Sequence, residues 1–387
     1  MPPANASFHH FFAPCPRGLE SVLAVELQQL GASNVKPTDG GVGFNGDMRL
    51  AYRTNLHSRV ASRILWRLVE KPYRSEDDIY RAALELPWPE LFDVGHTIRV
   101  DVNAIKCPLK SLEFIVLKIK DAICDKFRDA CDERPSVDTL EPDIRIYGFL
   151  SADRVMLYLD TSGDALFKRG YRKAQGIAPL RENLAAGILK LAGWEPGVSL
   201  LDPMCGSGTF LIEAAQMALN IAPGIERWFA FEKLNNFDAP LWDAVYQEAV
   251  AAEKPRTPLP IYGSDLYGRA LDDARANLEQ AGLEEVVQLK QVDVLDLPAP
   301  AAGGILVANP PYGERLGDQE ELEQFYPRLG HVLKKNFGGW NAYIITADTQ
   351  LPKLIRLSAS KRTPLYNGAL ECRLFEYKIV AGSNRKI

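Results

Sequence analysis

The feature that most constrains this chain is a strand, turn and helix pattern that begins near Val198 and repeats. Val198 to Asp202 is a short apolar run of strand length, and Gly208 to Leu219 follows as a helix. Ile261 to Asp265 is a second strand, leading to a helix over Ala270 to Ala281 that Gly282 closes. Val286 to Val294 and Ile305 to Ala308 read as further strands, Leu322 to Lys335 as a helix, and Ala342 to Thr346 as a fifth strand. Strands alternating with helices imply parallel pairing, and so an α/β, doubly wound, Rossmann-like sheet. Ligands bind such sheets at the carboxyl ends of the strands. Here those ends are Asp202, Asp265, Asp293 and Asn309.

The turn after the first strand carries the most chemistry. Asp202-Pro203-Met204-Cys205-Gly206-Ser207-Gly208-Thr209 places two glycines where the backbone must turn tightly and approach a ligand. A dinucleotide fold would show a third glycine and use the helix N-terminus for pyrophosphate. Asp202 would repel phosphate, but it suits the ammonium of an amino-acid-like cofactor. Asp265 is placed to accept both hydroxyls of a ribose, and Asp293 to accept from an adenine amine. A simpler role for each aspartate is to cap the helix that follows it.

The fourth strand end reads Asn309-Pro310-Pro311-Tyr312. The Asn309 side-chain oxygen and the Pro310 carbonyl are two acceptors for the exocyclic amine of a nucleobase, and the Tyr312 ring is a face for the base to stack on. Proline's fixed φ and missing N–H hold the carbonyls outward. The competing reading is that Pro310 and Pro311 only end a strand while Tyr312 packs in a loop.

Ahead of this region lie two smaller modules. Phe8 to Ala13 reads as a strand, Leu19 to Leu30 as a helix, Val42 to Phe44 as a strand, a short helix follows from Asp47, and Val60 to Val69 is a strand. This order resembles a ferredoxin-like split βαβ domain, assigned to residues 1–70. The second module, residues 71–160, opens on Ser75 as an N-cap with acids in the first turn. It continues with a strand over Thr97 to Ala104, a helix over Leu112 to Cys131, and strands over Ile144 to Leu150 and Val155 to Asp160. Residues 161–387 form the third domain. Within it Ala222 to Pro258 interrupts the alternation, with Trp228, Phe229, Phe231, Phe237 and Trp242 expected to pack. Leu370 to Val380 is expected as an antiparallel edge strand.

At 387 residues the chain suggests two or three domains. No apolar run reaches membrane-span length, and the first 16 residues lack a signal-peptide layout, so a cytoplasmic protein without a membrane partner is expected. Six scattered cysteines without a C-x-x-C pair indicate neither zinc site nor disulfide framework, and Cys124 and Cys131 read as buried apolar groups. The net charge is −5, yet Arg49 to Arg74 holds seven basic residues against one acidic. Thr161 to Lys190 holds six against two, and Lys353 to Ile387 eight against two. Such clusters suit a protein that grips phosphate on one face, or else are solvated surfaces that never converge; Lys106, Lys110 and Lys118 are in the same position.

With the donor turn and the Asn309 tetrapeptide together, the chain resembles the class I S-adenosylmethionine-dependent methyltransferases that modify exocyclic amines of bases. The two N-terminal modules look like the ferredoxin-like and THUMP domains of THUMP-containing RNA methyltransferases. The nearest likeness is to the bacterial 23S rRNA guanine-N2 methyltransferases, the RlmL-like group, across essentially the whole chain. That resemblance implies catalytic roles for Asn309, Pro310, Pro311 and Tyr312. It implies S-adenosylmethionine contacts from Arg181, Glu182, Asp202, Cys205, Gly206, Gly208, Thr209, Asp265 and Asp293, with Arg181 and Glu182 near the methionine end and no metal. The expected partner is large-subunit rRNA or a pre-ribosomal particle; the oligomeric state stays open. Some relatives carry a second methyltransferase domain, so a chain ending at Ile387 implies a single modification. The alternatives are an adenine-N6 DNA methyltransferase and a non-catalytic RNA-binding ribosome assembly factor.

Overall fold

The computed structural model describes residues 8–172, 180–310 and 319–380. In chain order the elements are β1 His9–Pro14, α1 Glu20–Gln29, β2 Ser33–Thr38, β3 Gly41–Gly46, α2 Met48–His57, β4 Leu65–Pro72, α3 Glu76–Leu84, α4 Trp88–Leu91, β5 Ile98–Ala104, α5 Leu112–Cys131, β6 Ile144–Leu150 and β7 Arg154–Asp160. They continue with α6 Glu182–Leu191, β8 Leu200–Asp202, α7 Thr209–Ala218, α8 Ala239–Ala251, β9 Ile261–Asp265, α9 Gly268–Gln280, β10 Gln288–Gln291, β11 Gly304–Ala308, α10 Gln319–Asn336, β12 Trp340–Thr346, α11 Leu351–Leu354, β13 Lys361–Asn367 and β14 Leu370–Lys378. The chain divides into two compact units. One holds the chain up to Pro14, Ala24–Leu166 and Glu226–Glu248; the other holds Cys15–Leu23, Phe167–Ile225 and the chain from Ala249.

The first unit contains one seven-stranded sheet in the order β2-β3-β1-β4-β7-β6-β5. The first four strands have the ferredoxin-like arrangement, and antiparallel pairing of β4 with β7 carries the sheet on into the next three. The two N-terminal modules are thus continuous through their backbones. Local signals explain the elements well. Ser75 caps α3 in a reciprocal capping box with Asp78, Ser111 caps α5, and β6 alternates buried and half-buried residues along its length. Strand β2, with an exposed and largely polar sequence, carried no such signal. The strand expected from Val60 starts instead at Leu65, because Val60 to Ile64 form a buried approach to it.

Segment Glu226–Glu248 belongs to this unit through its aromatics. The Tyr52 ring on α2 lies tilted against Phe231 with centroids 4.4 Å apart, and meets Phe237 and Trp242 edge-on at 6.0 Å each. These residues pack as expected, whereas Trp228 is 85% exposed. One further expectation needs correction. Cys131 lies exposed at the end of α5, although Cys124 is buried. In the first basic cluster Arg49, Arg63, Arg67 and Lys71 pair with Glu248, Asp160, Glu70 and Glu85, and Lys118 pairs with Asp77. Much of the apparent positive charge is locally neutralised.

The second unit holds the sheet β10-β9-β8-β11-β12-β14-β13. Strands β10, β9, β8, β11 and β12 are parallel neighbours, and β14 runs antiparallel to β12. The sheet edge is β13, since β14 lies between it and β12; the expected edge strand is one place further in. Numbered within the domain, the order is 3-2-1-4-5-7-6. The chain winds from β8 to β10 on one side and crosses back to β11 on the other, so β8 and β11 flank the topological switch point. The central strands β8 and β11 are buried, largely apolar runs, as two helix-covered faces require, whereas β10 is polar and mostly exposed. Behind them Leu201, Leu306, Ile344, Tyr326, Leu333, Phe337 and Trp340 form one core cluster. No described helix is long and apolar enough to cross a membrane.

Candidate active site at the carboxyl edge of the second sheet

Parallel pairing sets the site. Register matches Leu201 with Leu306 across β8 and β11, and Asp202 with Gly263 across β8 and β9. Adjacent strands lie about 4.8 Å apart, so Asp265, Asp202 and the Ala308–Asn309 end of β11 stand side by side on one edge. Asp293 lies two residues past the end of β10, after Gln291.

Each aspartate accepts a backbone N–H from two residues ahead. Asp202 Oδ1 takes that of Met204 at 3.2 Å, Asp265 Oδ1 that of Tyr267 at 3.1 Å, and Asp293 Oδ1 that of Leu295 at 2.9 Å. Asp293 thereby caps the short 3-10 turn Val294–Asp296, whereas Asp202 and Asp265 cap no helix, since α7 and α9 have Gly208 and Tyr267 at their N-caps. In each case the bond orients the carboxylate rather than exhausting it, because each oxygen has two lone pairs. Asp265 also accepts the Gly206 N–H on Oδ2 at 3.0 Å, which ties the glycine turn to the neighbouring strand. Asp202 is only 2% exposed. Burial pushes its carboxyl well above the usual range, and the nearby Asp265 charge pushes the same way. Such a group disfavours an anion and gains from a cation.

The glycine turn is built for close approach. Gly206 and Gly208 have φ of +51° and +81°, where a side chain would be strained, and among the described residues no atom lies within 4 Å of where a Gly206 Cβ would stand. Cys205 contributes backbone: its N–H bonds the Ser264 carbonyl at 2.9 Å while its side chain is buried, packed 3.4 Å from where a Gly263 Cβ would stand. Thr209 opens α7 without capping it, and its hydroxyl accepts from Arg172 at 3.1 Å. Glu182, first residue of α6, accepts from Arg172 Nε at 2.8 Å. Burial raises its carboxyl, and the Arg172 charge opposes that rise.

Arg181 goes elsewhere. It is exposed, with its guanidinium 4.9 Å from the Phe167 ring centre and close beside Gly368. The residue that reaches the turn is Arg172, which sequence reasoning did not single out because nothing local distinguishes it from the basic residues around it. Asn309 is half-buried and Pro310 buried; Pro311 and Tyr312 lie outside the described residues.

This strand order, with acids and an amide ending the strands about the switch point, defines a class I S-adenosylmethionine-dependent methyltransferase fold. Residues 169–376 match the RMKL-like methyltransferase domain, residues 10–65 the RlmL ferredoxin-like domain and residues 73–160 the THUMP domain. The chain belongs to the RMKL-like methyltransferase family. A Synechocystis protein named as an RNA methyltransferase is 40% identical over 97% of this chain and 98% of its own. The ribosomal RNA large subunit methyltransferase K/L of Shewanella frigidimarina is 40% identical over 97% of this chain but only 54% of its own, so the chain spans about half the length of such relatives. Two crystal structures superpose over 96% of the chain. The methyltransferase SMU.472, complexed with S-adenosylhomocysteine, is 34% identical with a TM-score of 0.86 over 98% of its own chain. A Listeria monocytogenes protein named for N6-adenine-specific DNA methylation is 32% identical with a TM-score of 0.87 over 97% of its own chain. S-adenosylmethionine is the cofactor, and the residues fit it: the buried Asp202 carboxylate stands beside a turn whose two glycines hold positive φ.

Proposed function

We propose that this protein transfers the methyl group of S-adenosylmethionine to the exocyclic N2 amine of a guanosine in 23S rRNA. The observation that carries the reading is that β8, which ends at Asp202, and β11, which runs into Asn309, are hydrogen-bonded neighbours flanking the switch point. When bound, S-adenosylmethionine supplies a methyl group activated by its sulfonium. Asp202 takes the donor ammonium, Asp265 the ribose hydroxyls and Asp293 the adenine amine. The Asn309 side-chain oxygen and the Pro310 carbonyl accept the two N–H groups of the target amine. Accepting both favours a pyramidal nitrogen whose lone pair is aimed at the methyl carbon. The N–C bond forms as the S–C bond breaks, and the extra amine proton leaves to solvent. Positioning is the main contribution, and no strong base is required. Tyr312 stacks on a base unstacked from its neighbours.

The RNA substrate is supported by the THUMP and ferredoxin-like matches and by the K/L relatives; residues 1–70 and 71–160 are the binding modules and 161–387 the catalytic domain. The Listeria protein's name favours a second reading, adenine-N6 methylation of DNA, with the same amine chemistry. Nucleoside mass spectrometry of a deletion strain separates the two. Loss of one 2-methylguanosine from 23S rRNA is expected; unchanged rRNA with less 6-methyladenine in DNA supports the second reading. Asn309→Ala should abolish methyl incorporation while donor affinity stays within a few-fold, and full activity in that variant would sink the assignment.

A further inference from the structure

Arg172 joins two segments that form the donor site under the reading above, on which this inference rests. Its Nε donates to Glu182 Oε1 at 2.8 Å, at the start of α6. One terminal nitrogen donates to Ser207 Oγ at 3.2 Å, and the other to Thr209 Oγ1 at 3.1 Å and to the Leu180 carbonyl at 3.3 Å. The Arg172 side chain is 12% exposed and that of Glu182 6%, so these bonds form largely out of water. A second buried pair, Arg169 with Glu213 of α7, satisfies its own charge nearby and has no need of Arg172.

The geometry does more than neutralise Glu182. A hydroxyl carries one donor and two acceptor sites. Because Ser207 and Thr209 accept from a guanidinium that has no lone pair to offer, their own protons are left to donate to something else. Both residues lie at the glycine turn beside Gly206, where no described atom stands within 4 Å of the Cβ position. The neighbouring Asp202 suits the ammonium of an amino-acid-like ligand, whose carboxylate needs donors. We propose that Arg172 is a positioning residue that fixes the Ser207 and Thr209 hydroxyls as donors to the carboxylate of the bound S-adenosylmethionine. Lysine cannot replace it, because one ammonium lacks the planar fork that spans four partners.

The test is calorimetric titration with S-adenosylhomocysteine, paired with melting temperatures. R172M alone should bind weakly and melt early, since it strands the Glu182 carboxylate. E182Q and R172M/E182Q separate the two effects. The double variant should melt within a few degrees of E182Q yet bind at least 10-fold more weakly, and S207A/T209V should show a similar loss with Arg172 intact. Equal affinity in E182Q and R172M/E182Q would mean that Arg172 only neutralises Glu182, and overturns the inference. If the double variant does not fold, R172K decides: a loss of at least 5-fold supports the fork, and unchanged affinity overturns it. Wild-type protein that fails to bind S-adenosylhomocysteine overturns the donor reading itself, whereas binding that ignores Arg172 overturns only this proposal.

Discussion

Asp202 shows how a single residue can set stability against function. Its carboxyl is raised by burial and by the Asp265 charge. An unfolded aspartate titrates near pH 3.9, so between that pH and the raised folded value the folded chain binds more protons than the unfolded one. Stability of the donor-free protein therefore falls as pH rises through that window. Asp202→Asn removes the ionisable group and should raise the melting temperature of donor-free protein at neutral pH. Under the proposed role it also removes the partner of the donor ammonium. A charge-assisted bond contributes about 1.5–3 kcal/mol, so affinity for S-adenosylhomocysteine should drop roughly 10- to 100-fold. In the wild type that affinity should rise with pH through the same window, because binding a cation expels the proton. Scanning calorimetry and titration across pH check both signs; a donor-free D202N that melts lower than wild type would contradict the argument.

The elements show how far sequence signals reach. Capping residues and apolar periodicity made α3, α5, β6, β9 and the β8 turn legible, because their causes lie within a few residues. Strands β2 and β13 were not legible, since their pairing is supplied by β3 and β14 and their sequences are largely exposed. In the site, strand-end acids announced themselves by position, while Arg172 acts through partners 8 to 37 residues away. Helix α10 gives a case where local preference and packing oppose each other. Glycine inside a helix normally costs about 0.5–1 kcal/mol relative to alanine, so Gly330→Ala would ordinarily stabilise. Here a Cβ would stand 1.8 Å from the Ile355 carbonyl oxygen and 2.9 Å from its carbon. These are backbone atoms just past α11, which cannot rotate aside. Overpacking costs about 1–3 kcal/mol, so the sign should reverse. Denaturant melts should show G330A destabilised by roughly 1–2 kcal/mol net of that helix gain; a stabilised variant would mean that α11 shifts freely.

For the whole molecule, family boundaries and physical units do not coincide. The methyltransferase match spans residues 169–376, yet Glu226–Glu248 within it belongs to the first unit, and Cys15–Leu23 from outside it belongs to the second. Both exchanges have a packing cause. Phe231, Phe237 and Trp242 surround Tyr52, which also accepts the Asp238 N–H on its hydroxyl at 3.1 Å. Leu19 sits so close over Gly187 that a Cβ there would fall 2.3 Å from its methyl group. A fragment of residues 169–387 loses both Tyr52 and Leu19. Stripping its partner from an aromatic cluster exposes apolar area at about 25 cal/mol per Å², enough with several rings to unfold a short segment lacking its own core. The fragment should bind a hydrophobic dye and be cut by protease between residues 226 and 248, while the full chain resists at those sites. Coexpression with residues 1–168 should restore that resistance, since the missing partners lie there; Tyr52→Ala in the full chain should expose the same segment in part. A fragment as resistant as the full chain would mean that the segment is held by residues 169–387 alone.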